Sequence, residues 1–381
     1  MEYMRQQAHN IHSFDDIFCH QGFKIRDFNK NNLQHQSLAD TFSHEKLFNI
    51  ENRRYIGSKS KLMAWINNIL LTECLDCHSF FDVFAGTGIV SQSMLAHYNK
   101  LIMNDFLFSN HVIYHGFLSQ QPFNFNKLIL LKNNFNQSSH TLKTNYFSEN
   151  FGDKFFSLND AKQIGWIREE IEQLFLTNKI NQKEYHILLT SLIYSSDRVS
   201  NTVGHYEAYI KGKSIVDRFV FDLIQPIISD KEIQIYREDA NVLAPNIDAD
   251  IAFIDPPYNS RQYSRFYHVL ETLIKWDKPE LFGIAMKPKE ENMSNYCRSS
   301  APQAFDDLIQ NLNTKYIAVT YNNTYMSKSS SSQNKISLAQ ITEILQRKGQ
   351  TKVFETSHQF FNTGKTDFND HKEFLFITQV G

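Results

Sequence analysis

Residues 79–98 read SFFDVFAGTGIVSQSMLAHY, and this stretch decides the fold. Phe80 to Phe84 have strand character, Ala85 to Gly88 form a tight turn, and Ile89 to His97 carry helical spacing. The two glycines of the turn permit positive φ and let the backbone approach a ligand closely. The next segment, KLIMNDFLFSN at 100–110, is a second strand that ends at Asn104-Asp105. A strand, a glycine turn, a helix and a strand ending in an acid open a parallel α/β sheet.

Upstream, NRRYIGSKSKLMAWINNILL at 52–71 starts basic, turns at Gly-Ser, and then places Leu62, Trp65, Ile66, Ile69 and Leu70 at helical spacing. Downstream, residues 117–230 carry mainly helical patterns. One stripe is Ala161, Ile164, Ile167, Ile171, Leu174 and Phe175; another is Tyr185, Leu188, Leu189, Leu192 and Ile193. The polar, basic stretch SSDRVSNTVGHYEAYIKGK at 195–213 ends this region and reads as a recognition surface. The sheet pattern then returns. EIQIYREDA reads as a strand ending at Asp239, IAFIDPPY as the next strand, and YSRFYHVLETLIKW as one helix. KYIAVTYNN is a further strand, SKSSSSQNK a Ser-rich loop, and KISLAQITEILQRKG a helix stopped by Gly349. TKVFETSHQFF and KEFLFITQV read as an antiparallel terminal pair. This divides the chain into a polar N-terminal extension (1–45), a first sheet part (46–116), a helical insertion (117–230) and a second sheet part (231–381).

The bulk numbers set limits. A chain of 381 residues with 41% hydrophobic residues and 32 Phe can build one large domain with an insertion. A net charge of −2 gives no global basic signal, so a nucleic-acid partner requires local positive surface. Four cysteines exclude a disulfide scaffold. Cys74 and Cys77 with His78 lack the second ligand pair of a structural zinc site, and Cys19 and Cys297 stand alone. No metal is expected. The N-terminus lacks the apolar core of a signal peptide, and no run of about 18 apolar residues suggests a membrane span. A cytoplasmic protein is expected.

In an open α/β sheet, ligands sit beyond the carboxyl ends of the strands. Four acids fall at the strand ends: Asp82, Asp105, Asp239 and Asp255. A Walker loop is excluded because no Gly-Lys-Ser/Thr follows the turn. The dinucleotide fingerprint lacks its third glycine. Asp105 can take both hydroxyls of a ribose, which implies a nucleoside ligand without a pyrophosphate. At 255–258, Asp-Pro-Pro-Tyr is a stiff corner, because proline fixes φ and constrains the residue before it. There the Asp255 carboxylate and the Pro256 carbonyl can accept both hydrogens of an exocyclic amine while Tyr258 stacks on its ring. Such an amine is a poor nucleophile, and holding its hydrogens favours the pyramidal geometry of attack. Positioning against an electrophile does the rest. A rigid turn with a buried tyrosine is the plainer alternative.

FAGTG, the acid of NDF and DPPY, in that order, resemble the S-adenosylmethionine-dependent adenine-N6 DNA methyltransferases, more narrowly the Dam-like (alpha) group of type II restriction–modification systems. RRYIGSK resembles the basic-aromatic-Gly-Lys segment that precedes the glycine turn, and YNN after the next strand also fits. The resemblance covers about 50–381. It implies a Rossmann-like methyltransferase sheet with residues 117–230 as the target-recognition insertion. It implies S-adenosyl-L-methionine held by Tyr55, Lys59, Asp82, Gly86, Gly88, Asp105, Asp239 and Asp255, with Lys59 at the cofactor's carboxylate. It gives catalysis to Asp255, Pro256 and Tyr258. The substrate implied is an adenine flipped out of duplex DNA, at a cost of a few kcal/mol of unstacking. The basic residues chosen for DNA contact are Arg261, Arg265, Arg198 and Lys211. A cognate restriction endonuclease and monomeric action complete the expectation. A methyltransferase acting on RNA or on a protein amide, and a non-catalytic DNA-binding scaffold, are the competing readings. The large insertion and the intact Asp255 count against them.

Overall fold

The computed structural model describes residues 46–137, 142–212, 214–323, 333–357 and 372–381. The expected N-terminal extension, Cys19, Lys213 and most of the Ser-rich loop lie outside these residues.

The elements run in chain order as α1 (Met63–Glu73), β1 (Ser79–Asp82), α2 (Ile89–Met94), β2 (Lys100–Asn104) and α3 (Phe108–Leu118). Then come α4 (Phe125–Gln137), α5 (Tyr146–Phe151), α6 (Leu158–Leu176) and α7 (Gln182–Val199). After them follow β3 (Glu232–Tyr236), α8 (Ala240–Leu243), β4 (Ile251–Ile254), α9 (Tyr263–Phe266) and α10 (His268–Lys275). The chain closes with α11 (Ala301–Asn311), β5 (Tyr316–Asn322), α12 (Leu338–Gln346), β6 (Gly349–Ser357) and β7 (Lys372–Val380).

The seven strands form one sheet in the order β3-β2-β1-β4-β5-β7-β6. β3, β2, β1, β4 and β5 pair in parallel, while β7 runs antiparallel between β5 and β6. The Rossmann-like α/β architecture and the antiparallel terminal pair therefore stand as read. The central strand β4 is buried at every residue, as expected for a parallel sheet covered on both faces. Each such aliphatic or aromatic side chain contributes about 1.5–3 kcal/mol of burial free energy.

Several boundaries differ from the sequence reading: β1 ends at Asp82 rather than Phe84, α2 at Met94 rather than His97, and Gly349, read as the stop of the last helix, opens β6 while α12 ends at Gln346. Two further differences have a visible cause. The strand expected to reach Asp239 stops at Tyr236, opposite the last residue of β2, Asn104. Beyond that rung the Asn104 side chain takes over, accepting from Glu238 N at 2.9 Å and donating to Glu238 O at 3.1 Å. Asp239 instead caps α8, accepting from Asn241 N at 2.9 Å. The single helix expected over 263–276 is broken at Tyr267, which leaves helical geometry at φ −111° and ψ 20°. Its buried ring lies 4.7 Å from Tyr55, nearly parallel, and its hydroxyl accepts from Ile56 N at 2.9 Å.

Between β2 and β3 the described residues form helices and loops only, and α3 runs through position 117, where the insertion was drawn to begin. α7 is buried almost all round, so it is the spine of this helical region rather than a one-faced helix. Gly116 of α3 allows the crossing of α7: a Cβ there would lie 2.2 Å from Thr190 Oγ1. Two buried side chains lock the helical region to the segment that follows residue 258. Arg168 of α6 donates to Leu273 O at 3.0 Å and to Ile274 O at 3.1 Å, at the C-terminal end of α10, where a cation opposes the helix dipole. Glu271 of α10 accepts from Phe108 N at 3.0 Å and Ser109 N at 2.7 Å, capping the start of α3.

Candidate active site

A cleft of about 960 Å³, open mouth included, lies beyond the carboxyl ends of β1, β2 and β4. That is the position the parallel sheet predicts for a ligand. It brings together Tyr55, Lys59, Asp82, Gly86, Asp105, Asp239 and Asp255, seven of the eight residues expected at the cofactor. Gly88 sits just outside, at φ +77°, ahead of α2.

The glycine turn is held from below. Gly86 has φ +53° and donates its N–H to Asp105 Oδ2 at 2.9 Å. Asp105 Oδ1 accepts from Leu107 N at 2.8 Å, and the Tyr114 hydroxyl donates to Gly86 O at 2.7 Å. Asp105 therefore braces the turn as well as facing the cleft. Burial pushes its pKa up, while these donors pull against the rise. Asp82 accepts from Ser91 Oγ at 2.6 Å. Burial pushes its pKa up to about 7, Ser91 opposes the shift, and the charges of Asp255 and Asp105 add to it. Glu238 and Asp239 add two more acids to the lining, against the single cation Lys59. The cleft is thus built for a ligand that carries positive charge.

Tyr55 stands in an aromatic stack, 5.5 Å from Tyr263 and 4.7 Å from Tyr267, with the Arg53 guanidinium 5.0 Å from its ring. This stack fastens the RRYIGSK segment to α9 and α10.

Asp255 follows β4 directly. Its Oδ1 accepts from Lys59 Nζ at 3.0 Å, from Thr320 Oγ1 at 2.8 Å and from the Tyr258 hydroxyl. Lys59 also donates to the Tyr258 oxygen at 2.7 Å. Burial pulls the Lys59 pKa down, but Asp255 and Glu373 push harder and it ends above its ordinary value. Lys59, expected at the cofactor's carboxylate, is thus engaged with the carboxylate of Asp255. Pro256 is buried, and its carbonyl accepts no hydrogen bond from the described residues. The Tyr258 ring lies edge-on, 4.7 Å from Tyr321, beside rather than within the cleft lining.

None of the basic residues chosen for DNA contact is among the cleft lining, although Arg261 and Arg265 flank the lining residues Gln262, Tyr263 and Ser264. Arg198 donates to Asp222 at 2.6 Å and to Val220 O at 2.7 Å. Arg265 donates to Pro288 O at 2.7 Å, Arg261 lies 5.7 Å from the Phe266 ring, and Lys211 is exposed. The cleft also contains residues that sequence reasoning missed: Gln262, Tyr263, Asn292, Ser294 and Tyr296. Gln262 grips Ser294 through two bonds, at 2.8 and 3.0 Å, and so folds the loop before α11 over the site. No short motif marks that loop.

The profile of the D12 class N6 adenine-specific DNA methyltransferase family matches residues 55–344, from the aromatic stack through α12. Among curated relatives, the Type II methyltransferase M.NlaIII of Neisseria lactamica is 29% identical over 327 residues, covering 84% of this chain and 95% of that protein. Modification methylase LlaI of Lactococcus lactis subsp. lactis is 32% identical over 288 residues, 71% of this chain and 46% of that protein. The Type II methyltransferase M.FokI of Planomicrobium okeanokoites is 31% identical over 286 residues, 70% of this chain and 44% of that protein. The chain thus spans nearly all of the first relative and under half the length of the other two. With the acid-lined cleft and the DPPY corner at the end of β4, these matches show that the chain belongs to the D12 class of N6 adenine-specific DNA methyltransferases.

Proposed function

We propose that this enzyme binds S-adenosyl-L-methionine in the cleft and methylates the exocyclic amine of an adenine flipped out of duplex DNA at one short sequence. The observation that carries the reading is Asp255. Its Oδ1 is filled by three donors, while its Oδ2 and the adjacent Pro256 carbonyl accept nothing from the described residues. Two acceptors on one rigid corner match the two hydrogens of an adenine amine.

When bound, the cofactor would supply a methyl group on a sulfonium centre, its S–CH3 bond breaking as the N–CH3 bond forms and leaving the neutral thioether S-adenosylhomocysteine; the acidic lining of Asp82, Asp105, Glu238 and Asp239 suits the sulfonium charge. The positive φ of Gly86 and Gly88 keeps side chains from crowding the turn. Asp255 and the Pro256 carbonyl orient the amine lone pair toward the methyl carbon. The nitrogen sheds its proton to Asp255 Oδ2, and from there to water, once the new bond has formed. Tyr258 takes the face of the base by rotating its ring from its contact with Tyr321. The helical region fastened to α10 by Arg168 and Glu271 reads the flanking sequence, with Lys211 and Arg261 near the DNA backbone. The reaction serves a restriction–modification system, where the enzyme acts as a monomer and shields sites cut by a partner endonuclease. Hemimethylated duplex requires one transfer per event.

The test is modification-sensitive sequencing of DNA from cells that express the chain or its Asp255→Ala form. Adenine methylation at one short motif only with the intact chain is the expected result. Identical DNA from both would overturn the reading.

A further inference from the structure

The three donors on Asp255 Oδ1 come from three separate places: Lys59 from the loop before α1, Thr320 from β5, and Tyr258 from the corner itself. An oxygen with two lone pairs is saturated by such a set. Thr320 is 1% exposed, so its hydroxyl is shut away from water beside the Asp255 oxygen. The register explains its place. β4 and β5 pair as Ile254↔Val319, so the residues that follow on each strand, Asp255 and Thr320, meet as neighbours.

We propose that Thr320 and Lys59 are positioning residues of methyl transfer. They fix the rotation of the Asp255 carboxylate and occupy one of its oxygens, so that the target amine meets only the other. The inference rests on the proposed role of Asp255. An unrestrained carboxylate can turn either oxygen to the amine and can swing out of line, and a misplacement of about 1 Å costs roughly a hundredfold in rate. The Lys59 ammonium lies 3.0 Å from the same oxygen, so the carboxylate is held from a second element. Asp255 acts as an acceptor that shapes the amine, and it takes the proton only after the nitrogen has become cationic. Tyr258 adds the third donor from the residue that would cap the base, so base entry and carboxylate geometry are linked through one side chain.

The test uses the full chain with methylated-product assays on duplex DNA. Thr320→Val keeps the shape and removes the hydroxyl. It is expected to lower kcat about 10- to 100-fold, with the KM for DNA and the Kd for S-adenosylmethionine within about threefold of the parent. Thr320→Ser restores the hydroxyl and should recover most of the loss. Lys59→Met removes the second donor and should likewise lower kcat more than it raises the KM for DNA. Equal damage from Thr320→Val and Thr320→Ser would mean that packing, not the hydroxyl, matters, and would overturn the proposal. An unchanged kcat in Thr320→Val or in Lys59→Met would do the same. If the parent chain itself methylates no DNA, the functional reading fails first; if only the variants match an active parent, this inference fails alone.

Discussion

At the scale of single residues, the site depends on groups whose sequence neighbours reveal little. Gly86 is at φ +53°, and a Cβ built on it would lie 3.5 Å from the Tyr55 ring. Gly86→Val is therefore expected to strain the turn and weaken S-adenosylmethionine binding at least about tenfold by calorimetry, since left-handed φ costs a β-branched residue roughly 1–2 kcal/mol. An unchanged dissociation constant would show that the turn does not shape the pocket. Tyr258 gives a second prediction. Its hydroxyl donates to a charged acceptor, a bond worth about 1.5 kcal/mol, so Tyr258→Phe should lower kcat about tenfold. Tyr258→Ala also loses the ring and should fall much further; equal losses would remove any case for stacking. The acids, glycines and DPPY corner were legible because each is a short run with its own backbone chemistry. Lys59 was legible as a residue of importance, yet its partner was not, because 196 positions of chain separate it from Asp255. Thr320 carried no signal: within a strand it reads as any β-branched residue.

At the scale of elements, periodicity located all seven strands but left α3, α8 and α11 unread and α4 and α5 undivided within a helical region; boundary errors with a visible cause arose where a side chain replaced a backbone rung or a ring had to be placed. Asn104 ends β3 by standing in for the next residue of the ladder, which no alternation pattern can show. Tyr267 breaks a helix that is apolar at all the right spacings, because its ring belongs to the Tyr55 stack. Element packing yields its own test. A methyl group at Gly116 would meet Thr190 Oγ1 at 2.2 Å and the His186 carbonyl at 3.0 Å. Gly116→Ala should destabilise the chain by about 1–3 kcal/mol, despite the better helix propensity of alanine. A rise in the denaturant midpoint would show that α3 and α7 can separate without penalty.

At the scale of the whole molecule, buried titratable groups set how stability depends on pH. His111 and His115 are each pushed down to about 4 by burial first, His111 then by Arg237 and His115 then by His111 and Lys183. His186, beside His115, is pushed down to about 3 by burial first. Groups with depressed pKa give their full contribution above the free value of about 6.5 and lose it as pH falls toward their folded values. Asp82, raised to about 7, acts in the opposite sense: its contribution is present below about 4 and lost as pH rises through 7. Other buried carboxyls, Asp105, Asp197 and Glu271 among them, are raised by burial in the same sense as Asp82, so the imidazole share is read by difference. The parent should lose more melting temperature between pH 7 and pH 4.5 than His115→Asn does. Parallel profiles for the two would mean that the His115 ring titrates freely.

The sheet order has a consequence for how the chain is made. β7, the last strand in this sequence, lies between β5 and β6 and pairs with both. During synthesis the ribosome releases β5 and β6 first, and neither can form a correct edge until residues 372–380 emerge. The parallel half with its cleft can assemble on the nascent chain, while the far side waits for β7. Two open strand edges persist over that interval, which makes β5 and β6 the place where a chaperone would be expected to hold the newborn protein.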